Sequence, residues 1–170
     1  MTPDPFYSLK QRPEILDRHH LKIQNIQDVI AKMGPLEGAG AFLEWLRERC
    51  QVVILSDTFY QFAQPLMRQL GFPTLLCNQL EIDGNSRIVN YHMRMQNPKK
   101  HAVAALKSLN FFTIAAGGSY NDTTMLSEVY AGFFFRPPEH LLKEFSMFPV
   151  MQTYGERQER FAKAGNFTLS

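Results

Sequence analysis

Val52–Leu55 is an unbroken run of four aliphatic residues that ends on Ser56-Asp57-Thr58. An alternating pattern would mark a strand with one wet face. An unbroken one marks a strand covered on both faces, as in a parallel sheet flanked by helices. Two further runs, Phe111–Ala116 and Ala131–Phe135, have the same character. Stretches of helical period lie between the runs, so the chain reads as α/β with a doubly wound, mainly parallel sheet. Ligands of such sheets sit at the carboxyl ends of the strands, where Ser56 and Asp57 stand. The same residues also suit a plain strand end with an Asp or Thr helix cap. Alone, the pair does not separate the two readings.

The remaining elements follow from local pattern. Ser8–His20 reads helical, with Pro13 starting or kinking it, and Ile26–Met33 is a second short helix ended by Gly34-Pro35. Pro35–Cys50 reads as one amphipathic helix with Ala39, Phe42, Leu43 and Leu46 on its apolar face. Pro65 is expected to break the helix after the opening strand into two short pieces, capped by Gly71. Thr74–Ile82 turns through Asp83-Gly84-Asn85-Ser86 into Arg87–Met93, an inserted hairpin. Helices are expected at Lys99–Leu109, from about Asn121 to Val129, at Pro138–Phe145 and at Glu156–Ala164, with a short apolar piece at Val150–Tyr154.

Composition narrows the function classes. At 170 residues and 45% hydrophobic, the chain suits one compact domain with a core of its own. The net charge is +2, and the Lys and Arg residues form neither a nucleic-acid stripe nor a polybasic membrane patch. No apolar run approaches the roughly 20 residues of a membrane helix, and no signal-peptide core is visible at the N-terminus. A cytoplasmic protein is expected. Cys50 and Cys77 occur singly among apolar residues and read as two buried thiols, without metal-ligand spacing. The Asn-x-Thr matches at Asn121 and Asn166 then carry no weight. His19 and His20 are adjacent, point in different directions on a helix, and read as surface residues.

Three polar clusters stand where one site could gather them: Ser56-Asp57, Lys99-Lys100 opening a helix, and Asn121-Asp122 after Gly117-Gly118. A hydroxyl, an ammonium and a small-residue turn with its N–H groups make a phosphate cradle. Each has a plain alternative, since the glycines could merely turn the chain and Lys99 could be solvated. Their order and spacing together are more specific than any one.

That order resembles the haloacid dehalogenase superfamily of phosphotransferases. Val53-Ile54-Leu55-Ser56-Asp57-Thr58-Phe59, Asn97-Pro98-Lys99 and Ser119 through Leu126 are similar to its second, third and fourth motifs, in the form found in the phosphoserine phosphatases. The bifunctional phosphoserine phosphatase/homoserine phosphotransferase branch is the nearest pattern, from about Pro3 to the C-terminus. The resemblance implies a Rossmannoid core and a place in serine biosynthesis. It implies an aspartyl-phosphate intermediate and Mg²⁺ as cofactor, with phosphoserine or a similar small phosphomonoester as partner. Carried over, Ser56 is a hydroxyl donor to the phosphate, with the Asp57 amide beside it. Lys99 is the charge partner of phosphate and nucleophile. Asn121 is a substrate contact, Asp122 a carboxylate supporting the metal, and Arg12 an anchor for the substrate carboxylate.

The chain departs from the family at three points. The first family motif, Asp-x-(Asp or Glu)-Gly at the end of the first strand, supplies the nucleophile and has no match. Asp4 lies in a proline-rich tail and Asp17 and Asp28 on predicted short helices, none after a buried strand. Residues 1–35 are therefore expected to be a remnant of the family's helical cap, and 36–170 a core without its first strand. Gly118 stands where the family has an aspartate that binds Mg²⁺, so Asp122 is expected to be a weak metal ligand by itself. Pro13 directly follows Arg12, so the resemblance does not fix the direction of that side chain. The expected outcome is little or no hydrolysis by this chain alone. The alternative is a non-catalytic phosphate- or phosphoserine-binding or interaction protein that keeps the fold, with a homodimer shielding the open sheet edge.

Overall fold

A computed structural model describes residues 22–169. Arg12, Pro13, the His19-His20 pair and the first predicted helix lie outside the described residues. The chain divides into two compact units, one holding Val52–Arg94 with the residues up to Glu37, the other holding Gly38–Gln51 and the residues from Met95 onward.

In the first unit, helix α1 (Ile23–Met33) begins one turn earlier than its apolar pattern suggests. The Asn25 side chain accepts from the Lys22 amide at 2.9 Å, occupying a donor that the start of a helix leaves open. After helix α2 (Ala39–Arg47), which belongs to the second unit, strand β1 covers Val53–Phe59. Helix α3 (Tyr60–Gln69), strand β2 (Thr74–Ile82) and strand β3 (Ile88–His92) complete the first unit. The sheet order is β1-β2-β3, with β1 parallel and β3 antiparallel to β2. Ile23, Phe59, Leu80 and Ile88 form its core.

Pro65 does not break α3, contrary to the expectation from sequence. A proline inside a helix removes the bond to the carbonyl four residues back, which here is Gln61. Gln27 Nε2 on α1 donates to the Gln61 carbonyl at 2.8 Å and satisfies it from outside. The Gln61 side chain in turn pairs with both backbone groups of Leu80, donating to its carbonyl and accepting from its amide, each at 2.9 Å. It continues the ladder of β2 where β1, whose last partner is Asn78, has ended.

The second unit contains α2, helix α4 (Pro98–Ser108), strand β4 (Ile114–Gly117) and a short 3₁₀ turn (Tyr120–Asp122). Helix α5 (Thr123–Leu126), strand β5 (Ala131–Phe135), helix α6 (Glu139–Glu144), strand β6 (Val150–Met151) and helix α7 (Tyr154–Gly165) follow. Strands β4, β5 and β6 are all parallel, in that order. Phe134, Leu126, Leu141 and Met151 are fully buried at its centre. Helix α7 starts on a capping box absent from the sequence reading: Thr153 Oγ1 accepts from the Glu156 amide at 3.1 Å, and Glu156 returns the bond to Thr153. The Arg157 guanidinium of α7 lies 4.8 Å from the rings of both Phe42 and Phe135, which ties α2 and β5 to this helix.

Several predicted spans shorten. Gly38, at φ 81°, keeps α2 from starting at Pro35. Phe111 and Phe112 precede β4 and are exposed, where the sequence pattern suggested a buried strand. Phe112 instead packs against Tyr130 in a tilted pair with ring centroids 4.1 Å apart. The aliphatic run Val52–Leu55 is also less covered than expected. Val53 is exposed and Ile54 and Leu55 are half-buried, because β1 is the end strand of its sheet among the described residues. Strand β4 is likewise an end strand and half-buried throughout.

Candidate active site

The sequence-predicted site residues fall in two clusters, one in each unit. Ser56 and Asp57 belong to the first unit, and Lys99, Gly118, Asn121 and Asp122 to the second.

In the first unit the polar residues lie within β1, not after it. Leu55 pairs with Leu76 and Phe59 with Asn78, so four steps along β1 face two along β2. Ser56, Asp57 and Thr58 therefore arch out of the ladder as a bulge, and their backbone groups need other partners. Two side chains supply them. Ser56 Oγ accepts from the Thr58 amide at 3.3 Å, and Asn78 Nδ2 donates to the Asp57 carbonyl at 3.0 Å. Because Ser56 Oγ acts as acceptor in that bond, its hydroxyl proton remains available to an anion. The buried Asn78 also accepts from the Arg94 amide at 3.2 Å and so links the bulge to the exit of the hairpin. Sequence reasoning missed Asn78. The signal was an amide directly after the apolar run Leu75-Leu76-Cys77, where burial demands specific partners.

In the second unit, Asn97 has a left-handed backbone, Pro98 is the first helical residue, and Lys99 follows in the first turn of α4. A cation there meets the positive end of the helix dipole and, being buried, has lost its water. It needs a carboxylate, and Asp122 Oδ1 lies 2.8 Å from Lys99 Nζ. The other carboxylate oxygen, Oδ2, accepts from the Gly118 amide at 3.0 Å, the Ser119 amide at 2.9 Å and the Ser119 hydroxyl at 2.7 Å. Burial pushes the Asp122 carboxyl up, but the hydrogen bond and charge of Lys99, with the Ser119 donors, outweigh it and hold the group below the ordinary carboxylate range. The N–H groups that looked like a phosphate cradle in the sequence thus already hold this chain's own carboxylate. Asn121 is exposed on the turn beside it.

Both glycines of the turn are required by close approach. A side chain on Gly117 would run into the Asp122 carboxyl group, and one on Gly118 into the carbonyl oxygen of Phe135. Glycine at 118 is therefore built into the backbone path, and it presents no oxygen to a metal.

The phosphatases of the haloacid dehalogenase family generally use Mg²⁺. The described residues do not fit that ion. No group of three His, Cys, Asp or Glu side chains converges among them. The Asp122 carboxylate is already occupied on both oxygens. The two cysteines are free thiols; burial pushes the Cys77 thiol up to about 11, partly offset by the charge of Arg94, so it stays protonated and inert. A surface groove of about 430 Å³ in the first unit, lined by Tyr60, Gln64, Met67 and Phe72, contains none of the predicted residues. No helix among the described residues is long and apolar enough to cross a membrane.

Comparison with known proteins gives a consistent picture. The family described as haloacid dehalogenase-like hydrolase matches residues 8–127. The chain is 58% identical over 168 residues to a protein named phosphoserine phosphatase ThrH from Pseudomonas aeruginosa, covering 99% of this chain and 82% of that protein. It is 56% identical over 167 residues to a phosphoserine phosphatase from Pseudomonas syringae pv. tomato, covering 98% of this chain and 70% of that one. Among solved structures, a phospho-aspartyl intermediate analogue of a phosphoserine phosphatase superposes with a TM-score of 0.68 at 19% identity, over 83% of this chain and 70% of its own. A substrate-bound phosphoserine phosphatase complex gives 0.62 at 14% identity, over 95% and 87%. At these identities the structures speak for the fold.

Proposed function

The chain belongs to the haloacid dehalogenase-like hydrolases, and from that premise we propose that it recognises phosphoserine or a similar small phosphomonoester but hydrolyses it little or not at all by itself. On this reading the Ser56 hydroxyl and the Asp57 amide donate to phosphoryl oxygens. The Lys99 ammonium balances the charge of the dianion, Asn121 contacts the substrate, and Arg12 takes its carboxylate. A dianion requires such a set, with one cation and several fixed N–H or O–H donors. In the same reading residues 1–35 belong to the family's helical cap and 36–170 to its core.

The observation that carries the proposal is the state of Asp122. The one predicted metal carboxylate is bound to Lys99 and to the Gly118-Ser119 turn, and position 118 cannot carry a second one without moving the Phe135 backbone. Recognition through neutral donors and Lys99 survives this arrangement. Phosphoryl transfer that relies on a Mg²⁺ held by carboxylates does not.

Calorimetric titration of the purified chain in a chelator tests the binding half. Phosphoserine should bind, and Ser56→Ala should weaken it several-fold, as expected for one lost charge-assisted hydrogen bond. Absence of any heat at millimolar phosphoserine would remove the reading.

A further inference from the structure

Two of the hydrogen bonds that hold the bulge Ser56-Asp57-Thr58 come one from within it and one from the neighbouring strand. The internal support is Thr58 N–H to Ser56 Oγ at 3.3 Å, a long bond made by the residue whose hydroxyl is offered to the ligand. The neighbouring support is Asn78, only 1% exposed, which donates to the Asp57 carbonyl at 3.0 Å and accepts from the Arg94 amide at 3.2 Å. The Asn78 amide is thus used on both sides, by two backbone segments that no ladder joins at that point.

We infer that Asn78 is a positioning residue: it fixes the arch of β1, so that the Ser56 hydroxyl faces an incoming phosphoryl group in one orientation. The inference rests on the reading of Ser56 as a phosphate donor. Its physical basis is the carbonyl of Asp57. A peptide plane has one orientation, so holding the carbonyl toward Asn78 also sets the direction of the next amide, that of Thr58. That amide donates to Ser56 Oγ and selects the rotamer of Ser56. One buried amide on β2 thereby sets the direction of a hydroxyl on β1.

The test uses the full chain and three variants followed by amide NMR and hydrogen exchange, with inorganic phosphate as the probe. Asn78→Asp keeps an acceptor for the Arg94 amide but puts a carboxylate oxygen against the Asp57 carbonyl. Gln61→Ala removes both bonds to Leu80 in the same unit without touching the bulge, and serves as the control for destabilisation. Ser56→Ala removes the proposed donor itself. In Asn78→Asp, exchange at Asp57, Thr58 and Phe59 should accelerate about tenfold beyond that in Gln61→Ala, the size given by one lost buried hydrogen bond. Phosphate affinity should fall in Asn78→Asp and hold in Gln61→Ala. Equal exchange at the bulge in both variants would overturn the inference. Unchanged phosphate affinity in Ser56→Ala would instead sink the Ser56 reading, while the exchange comparison would still decide the role of Asn78. If Asn78→Asp does not fold, Asn78→Ser, neutral and smaller, carries the same comparison.

Discussion

The two polar clusters solve different problems at the carboxyl ends of parallel strands. The Lys99–Asp122 cluster is charged, buried and saturated: one ion pair at 2.8 Å and three further donors on the same carboxylate. The Ser56–Thr58 bulge is half-buried and held by neutral hydrogen bonds of 3.0 and 3.3 Å. Desolvated charges depend on one another, so removing one partner of the first cluster is costly. Neutral groups cost little to expose, so the second can exchange a partner for a ligand. Of the sequence-predicted site residues, Lys99 and Asp122 are bound to each other, and the neutral donors lie on the bulge.

The sharpest way to break this comparison is Asp122→Asn, which leaves the buried Lys99 ammonium without its carboxylate. It should cost about 3 kcal/mol in urea denaturation, and a loss below about 1 kcal/mol would mean that the pair is as weak as a surface one. Next comes Gly118→Asp. Forcing a side chain against the Phe135 carbonyl oxygen should lower stability by about 2 kcal/mol and confer no Mg²⁺ binding in calorimetry. A gain of Mg²⁺ affinity would show that Asp122 can leave Lys99.

A smaller effect concerns acid. The carboxyl of Asp122 is held below its ordinary value of 3.8, so its contribution is fully present above that pH and is lost as pH falls through the folded-state value. Wild-type stability should therefore decline below about pH 4, and more steeply than that of Asp122→Asn. Parallel declines would remove Asp122 as the cause. The smallest effect belongs to the other cluster: Ser56→Ala should change stability by less than about 0.5 kcal/mol while weakening phosphoserine binding. A large stability loss there would make Ser56 a structural residue like Asp122.

Much of this was legible in the sequence, for identifiable reasons. Thr74–Ile82 and Ala131–Phe135 match β2 and β5 at both ends because apolar content and turn residues bound them sharply. The α/β class and the inserted hairpin followed from the same signals. What escaped was whatever depends on a partner distant in sequence. Pro65 reads as a helix breaker until Gln27 is seen to satisfy Gln61. Ser56-Asp57-Thr58 read as the end of a strand because a bulge is defined by unequal residue counts on two strands, and one strand does not reveal them. Gly118 reads as a lost ligand from sequence, and only the fold reveals the Phe135 carbonyl oxygen that a side chain there would meet. Lys99 and Asp122 were both identified, but that they bind each other is a fact of packing, not of spacing.

The central claim is that a family member with this Asp122 and Gly118 recognises its phosphomonoester without turning it over. Release of inorganic phosphate from phosphoserine by the purified 170-residue chain, with and without Mg²⁺, addresses that claim most directly. The prediction is a rate indistinguishable from buffer in both conditions, alongside binding of phosphoserine in the presence of a chelator. Robust Mg²⁺-dependent turnover would contradict it, because among the described residues no group of three His, Cys, Asp or Glu side chains converges and Asp122 is bound to Lys99 and the Gly118-Ser119 turn.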